Sequence, residues 1–290
     1  MSYTLYIGDR RFSTWSMRGW LMLAAFDIPH RSQLVGLYSG SMADDLAHMP
    51  LARLVPVLEM SDGRYTQDSL AMAETLHEEN PGAGLWPSRA DHRLRARWMV
   101  GEMHSGFSHI RNDCPGDLLG QIEGFKPSQG VLDDLARVEA LFASAWAMDG
   151  TEGGWLFGDY SLADVFFAPL AGRIATYNLP VSKATQAYVQ RHLNHSLFRQ
   201  WRAMGLTKTY EPCPYYPELT RGAWPGPAAI TAQACLSGPA ENATCPYSGD
   251  PVTDFLTIDG RVFGFCNAFC RDKTVIDPAA WPDFMALYNR

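Results

Sequence analysis

Residues 54–80 read LVPVLEM, then SDG, then RYTQ, then DSLAMAETLHEEN. Two short apolar runs flank a Ser61-Asp62-Gly63 turn, which predicts a strand, a hairpin turn and a second strand. The helix that follows opens on Asp68-Ser69, a polar pair suited to capping its N-terminus. Toward the start of the chain, residues 3–8 (YTLYIG) mix β-branched and aromatic residues and predict a strand. Met17, Leu21, Ala24 and Ile28 then recur at helical spacing, and Pro29 is expected to end that helix. Residues 33–38 (QLVGLY) suit a second strand and residues 41–48 a short helix. The order is β-α-β-α-β-β-α, an α/β unit over residues 1–80.

Beyond it the pattern changes. Residues 79–90 (ENPGAGLWPSRA) are rich in Pro and Gly and read as a linker. Helical patterns then fill residues 91–206. One spans 91–112. A second spans 131–147, with Leu132, Leu135, Val138, Phe142 and Trp146 on one stripe. A third covers 161–176, opened by a Ser161 to Asp164 capping box, a structural feature. Residues 182–205 supply one or two more. Residues 207–240 are crowded with Pro and Gly and predict an irregular connection. Residues 241–290 alternate short strand signals with turns, and Asp259-Gly260 between DFLTI and RVFGF predicts a hairpin.

Composition narrows the function. The formal net charge of −7 argues against a nucleic-acid surface, which needs clustered Lys and Arg. It suggests no anionic membrane either. No apolar stretch approaches the twenty or so residues needed to span a bilayer, and MSYTLYIGDRRF does not read as a secretory signal. A cytoplasmic protein is expected, whose six cysteines are free thiols or metal ligands rather than disulfides.

An α/β unit of this order followed by an all-helical domain resembles the cytosolic glutathione transferases, over the first 210 or so residues. The resemblance implies a thioredoxin-like N-terminal domain and three site motifs. In Val55-Pro56 the proline is expected to be cis. That turns the backbone of Val55 toward the cysteinyl backbone of glutathione, in the manner of an added strand. At Asp68-Ser69 the helix N-terminus favours the γ-glutamyl carboxylate, Ser69 adds a hydroxyl, and Asp68 pairs with the ligand's ammonium. The loop Phe12 to Arg18 resembles the serine loop of zeta-like and related bacterial transferases. It points to Ser13 as the hydroxyl that favours the glutathione thiolate, the nucleophilic form. Thr14 and Ser16 are rivals for that role. The zeta signature carries Cys where this chain has Trp15. Met103, His104 and Phe107 either face the electrophile pocket or belong to the core. Glutathione is thus expected as substrate, with a small-molecule electrophile as its partner and a homodimer as the assembly.

The tail adds a second motif. Twenty residues separate Cys245 from Cys266, and three separate Cys266 from Cys270. This resembles the TRASH and YHS group of small metal-binding modules, with a Cys-x3-Cys pair at a helix start. A soft thiolate set suits zinc or copper(I), and Cys235 and Asp250 are candidate fourth ligands. The fold class expected is a thioredoxin-like α/β domain, an all-α bundle and a small β-hairpin/helix metal-binding module. Two other functions follow from the same features: a non-catalytic glutathione- and metal-binding sensor, and a glutathione-dependent isomerase.

Overall fold

The computed structural model describes residues 2–207, 215–216 and 218–290, so Cys213 lies outside the described residues. The chain divides into two compact units, Met1–Leu193 with Tyr210–Pro225, and Asn194–Thr209 with Gly226–Arg290.

The first unit begins with β1 (Tyr3–Ile7), α1 (Thr14–Ala24), β2 (His30–Leu34), α2 (Met42–Asp45), β3 (Val57–Glu59), β4 (Tyr65–Gln67) and α3 (Ser69–Glu79). Its sheet runs β2-β1-β3-β4, with β1 parallel to β2 and the other pairs antiparallel. This is the thioredoxin-like arrangement. β1 is buried along its whole length, as a central strand covered on both faces must be. β2 starts three residues earlier than the sequence suggested. Its parallel register sets Tyr3 opposite His30 and Ile7 opposite Leu34, so pairing with β1 outweighs the apolar run that follows. α1 stops at Ala24 rather than at Pro29, because Asp27 takes a left-handed φ of 52°. Gly19 brings α1 against the Val55-Pro56 edge: a Cβ there would stand 3.0 Å from the Pro56 ring.

The helical part contains α4 (Ala90–Ser105), α5 (Ser108–Asp113), α6 (Gln129–Trp146), α7 (Leu162–Tyr177) and α8 (Lys183–Asn194). The single helix expected over 91–112 is broken at Gly106-Phe107, where Phe107 adopts φ 57°. Arg111 explains the break. Its guanidinium donates to the carbonyls of Gly106 (2.9 Å) and Met103 and so caps the C-terminus of α4. α7 is buried on every side. Its capping box is formed, and the Asp164 carboxylate accepts from the N–H of Leu156 (3.1 Å), the N–H of Ser161 (3.0 Å) and the hydroxyl of Tyr188 (3.1 Å). The stretch expected to be irregular, 207–240, contributes two short strands: Arg221–Gly222, which pairs with Gln121–Ile122, and Gln233–Cys235 in the second unit.

The second unit holds α9 (Ser196–Thr207), a three-stranded antiparallel sheet and two further helices. The sheet strands are Gln233–Cys235, Asp254–Ile258 and Arg261–Phe265, in that order. The helices are Ala268–Ile276 and Pro282–Tyr288. α9 packs with the tail of the chain and is held to it by a two-point Arg199–Asp277 ion pair (2.9 and 2.6 Å). Asp259-Gly260 forms the expected hairpin turn, both residues at positive φ (49° and 75°). Leu256, Ile258, Phe263, Phe265 and Phe284 form a small aromatic-rich core.

Candidate active site

A cleft of about 540 Å³ opens in the first unit. Its wall is built from the loop before α1, the Val55-Pro56 edge, the start of α3, the end of α4, and α5 and α7. The peptide bond Val55-Pro56 is cis. Val55 lies just before the β3–β4 ladder, which begins at Val57. The loop leading into it is pinned by Gln67, whose Oε1 accepts from the N–H of Arg53 (2.5 Å) and of Leu54 (2.9 Å). Nothing in the sequence marked Gln67 for this task, because its partners lie across a hairpin.

Asp68 caps α3, accepting from the N–H of Leu70 (2.8 Å) and Ala71 (3.2 Å). Its backbone sits at φ 82°, a left-handed conformation costly for a residue with a Cβ. Such outliers cluster at functional sites. His104, from the last turn of α4, bridges the pair. Its Nε2 lies 3.0 Å from the Asp68 carboxylate and its Nδ1 3.5 Å from Ser69 Oγ. Ser69 is buried at this junction. Of the three residues left between pocket and core, His104 lines the cleft, whereas Met103 and Phe107 are buried in the core.

The loop before α1 separates the three hydroxyls. Ser13 is the N-cap residue of α1 and lines the cleft. Ser16 is fully buried behind it. Its Oγ accepts from the Gly8 N–H (3.0 Å) and from the Ser13 hydroxyl (2.7 Å). Thr14 faces the cleft, but its Oγ1 accepts from Arg173 Nη2 (3.2 Å).

Three guanidiniums gather beside this loop. Arg18 is fully buried, donates to the Phe166 carbonyl (3.2 Å) and stacks on Trp15, 4.6 Å from the ring centre. Arg111 covers the same ring at 4.8 Å. Arg173, from α7, donates Nε to the Cys114 carbonyl (2.8 Å). Burial, then the neighbouring Arg111, holds Arg173 down at about 10. Burial, then Arg111 and Arg173, pushes Arg18 well below its ordinary range. The sequence flagged none of these arginines as a group, since they come from three helices far apart in the chain.

In the second unit, Cys245, Cys266 and Cys270 bring their sulfurs within 4.8 Å of one another. Cys266 Sγ and Cys270 Sγ are 3.9 Å apart. Cys266 lies just before the helix: Asn267 is the N-cap, accepting from the Cys270 N–H at 2.9 Å. Cys266 Sγ also accepts from Ser248 Oγ (3.3 Å) and Asn267 Nδ2 (3.2 Å). Burial raises the Cys245 thiol, but the backbone N–H groups of Tyr247, Cys266 and Ser248 outweigh it and bring it to about 7. Among the described residues, neither Cys235 nor Asp250 joins the group.

A thioredoxin-like domain with a cis-proline edge, a capped helix N-terminus and a serine loop, followed by a helical domain, defines the glutathione-transferase class. The comparisons agree. Residues 12–79 match the family model of the glutathione S-transferase N-terminal domain. A probable maleylacetoacetate isomerase of Caenorhabditis elegans is 27% identical over 183 residues, 61% of this chain and 81% of that protein. A glutathione transferase homolog from Burkholderia, solved with bound glutathione, superposes with a TM-score of 0.51 at 23% identity, over 71% of this chain and 98% of that one. Glutathione transferase Omega 2S from Trametes versicolor does so with a TM-score of 0.54 at 18% identity, over 69% and 93%. The chain has the glutathione S-transferase fold, and within it residues 12–79 are similar to the N-terminal domain of that family.

Proposed function

We propose that the protein is a glutathione transferase whose nucleophile is the glutathione thiolate held at the loop before α1. The observation that carries this reading is the convergence on one cleft of Val55, the Asp68-Ser69 helix start and Ser13. Val55 offers its backbone to the cysteinyl part of glutathione. The backbone N–H and hydroxyl of Ser69, at the positive end of α3, take the γ-glutamyl carboxylate. Asp68 takes the ammonium, and His104 holds both side chains in place. Ser13 donates to sulfur. The 2.7 Å Ser13–Ser16 contact serves that role, because hydroxyls rotate and the pair can run in either direction. With Ser16 donating to Ser13, the Ser13 proton is released toward sulfur, and the N-terminal amides of α1 add positive potential.

The thiol proton leaves to solvent and the thiolate attacks an electrophilic carbon. A carbon–sulfur bond forms as a leaving group departs with its bonding electrons, or as an adjacent π bond takes up the pair and a proton. Ser13→Ala is expected to lower turnover about a hundredfold, the scale of removing one donor to a developing or resident anion, and to raise the pKa of bound glutathione. Thiolate absorbance against pH checks it; an unchanged titration removes Ser13 from this role. The isomerase reading is favoured by the nematode relative alone. In it the adduct would expel the thiolate again, so product analysis for retained glutathione separates the two.

The cysteine group is proposed to hold a zinc or copper(I) ion through Cys245, Cys266 and Cys270, in a module of the TRASH/YHS kind. Sulfurs bound to one zinc at about 2.3 Å stand roughly 3.8 Å apart, close to the 3.9 Å between Cys266 and Cys270. The ion would supply a cross-link in a unit with a small core. The reading includes a homodimer located in the cytoplasm, as the family resemblance implies.

A further inference from the structure

The arginines beside Thr14 stand out by the partners they have. Their hydrogen bonds run to neutral oxygens: the carbonyls of Phe166, Gly106 and Cys114, and the Thr14 hydroxyl. Among the described residues, none of the three is ion-paired to a carboxylate. Buried cations normally have such a partner, because desolvation otherwise opposes the charge. Arg173 is 6% exposed, lines the cleft, and leaves its Nη1 without a hydrogen-bond partner in the described structure. Arg111 lines the same wall with Asn112, and the two cations disfavour one another. The wall is also tightly built. A Cβ on Gly116 would stand 2.3 Å from Thr14 Cγ2 and 2.9 Å from the Phe12 carbonyl oxygen, so only hydrogen fits there.

We infer that the wall formed by Thr14, Arg111 and Arg173 is a recognition site for a carboxylate carried by the electrophile. The inference rests on the transferase reading and narrows its substrate class. Thr14 adjoins Ser13, so the carboxylate would sit within a few bonds of the carbon that sulfur attacks. A planar guanidinium with a spare N–H matches carboxylate geometry. Burial keeps water from competing. The charge of the second substrate would thus complete a site that the described residues leave positive.

Binding of glutathione thioethers, measured by calorimetry on the full chain, tests this. The probes are S-(carboxymethyl)glutathione and S-(4-carboxybenzyl)glutathione, each against its uncharged amide, with glutathione alone as reference. At least one acid should bind ten times or more tightly than its amide, equivalent to about 1.4 kcal/mol. Arg111→Gln and Thr14→Val should each shrink that ratio by threefold or more. Arg173→Gln should abolish it, provided its thermal transition survives. Ratios below two for both pairs, with glutathione itself binding, overturn the inference and leave the transferase reading intact. Equal losses for acid and amide in the variants overturn it too, because the arginines would then serve the sulfur. Failure of glutathione to bind would sink the transferase reading instead.

Discussion

The cleft and the cysteine cluster solve the problem of concentrating sulfur chemistry in opposite ways. The cleft is assembled from residues between Phe12 and Tyr215, brought together by a sheet and helices with a large apolar core. Its hydroxyls, amide groups and cations are held by the fold before any ligand arrives. The cysteine cluster draws its three sulfurs from 26 residues, Cys245 to Cys270, in a unit whose core is a handful of aromatic and aliphatic side chains. There the proposed ligand helps to hold the fold. One site is preorganised by packing; the other, on the proposed metal reading, depends on the ion it would bind.

The largest effect that would break this comparison comes from the metal. Chelation, or Cys266→Ser with Cys270→Ser, should abolish the cooperative thermal transition of the second unit. Glutathione binding should persist. A metal-free wild type purified from zinc- or copper-supplemented cells, with both transitions intact, would show that the cysteine unit is held by packing too. Next, Asp164→Ala should destabilise the first unit by about 3 kcal/mol or more, since it strands buried donors from Leu156, Ser161 and Tyr188. Denaturant titration checks it; a loss below about 1 kcal/mol would mean that the helical core does not lean on this network. The smallest effect sharpens the account of the cleft. His104→Leu should raise the KM for glutathione about tenfold with little change in kcat, as expected of a residue that positions Asp68 and Ser69. An unchanged KM would assign His104 to packing alone.

Both sites left marks in the sequence, of different kinds. The hairpin turns, the Asp68 cap and the Ser161 capping box are set by neighbours in the chain, and each stands where local chemistry put it. The cysteine spacing brought three sulfurs together for the same reason, although Cys266 sits before its helix. Features made by distant partners were not legible. The register of β2 depends on β1, the break at Gly106 on Arg111, and the pinned loop before Val55 on Gln67. The gathering of Arg18, Arg111 and Arg173 depends on how three helices pack. Motifs marked where glutathione would lie because a family resemblance carried that long-range information. For the wall beside Thr14 there was no such motif, and only the fold shows the arginines.

Trp15 has a consequence of another kind. Its indole is a third exposed, on the cleft wall, between the Arg18 and Arg111 guanidiniums at 4.6 and 4.8 Å, with His104 edge-on at 5.5 Å. An indole excited state responds to the charges around it. Filling the cleft with an anion changes those charges. Trp15 is therefore an optical gauge built into the site: replacing it with Phe isolates its emission from that of the other eight tryptophans, and occupancy becomes readable without a label.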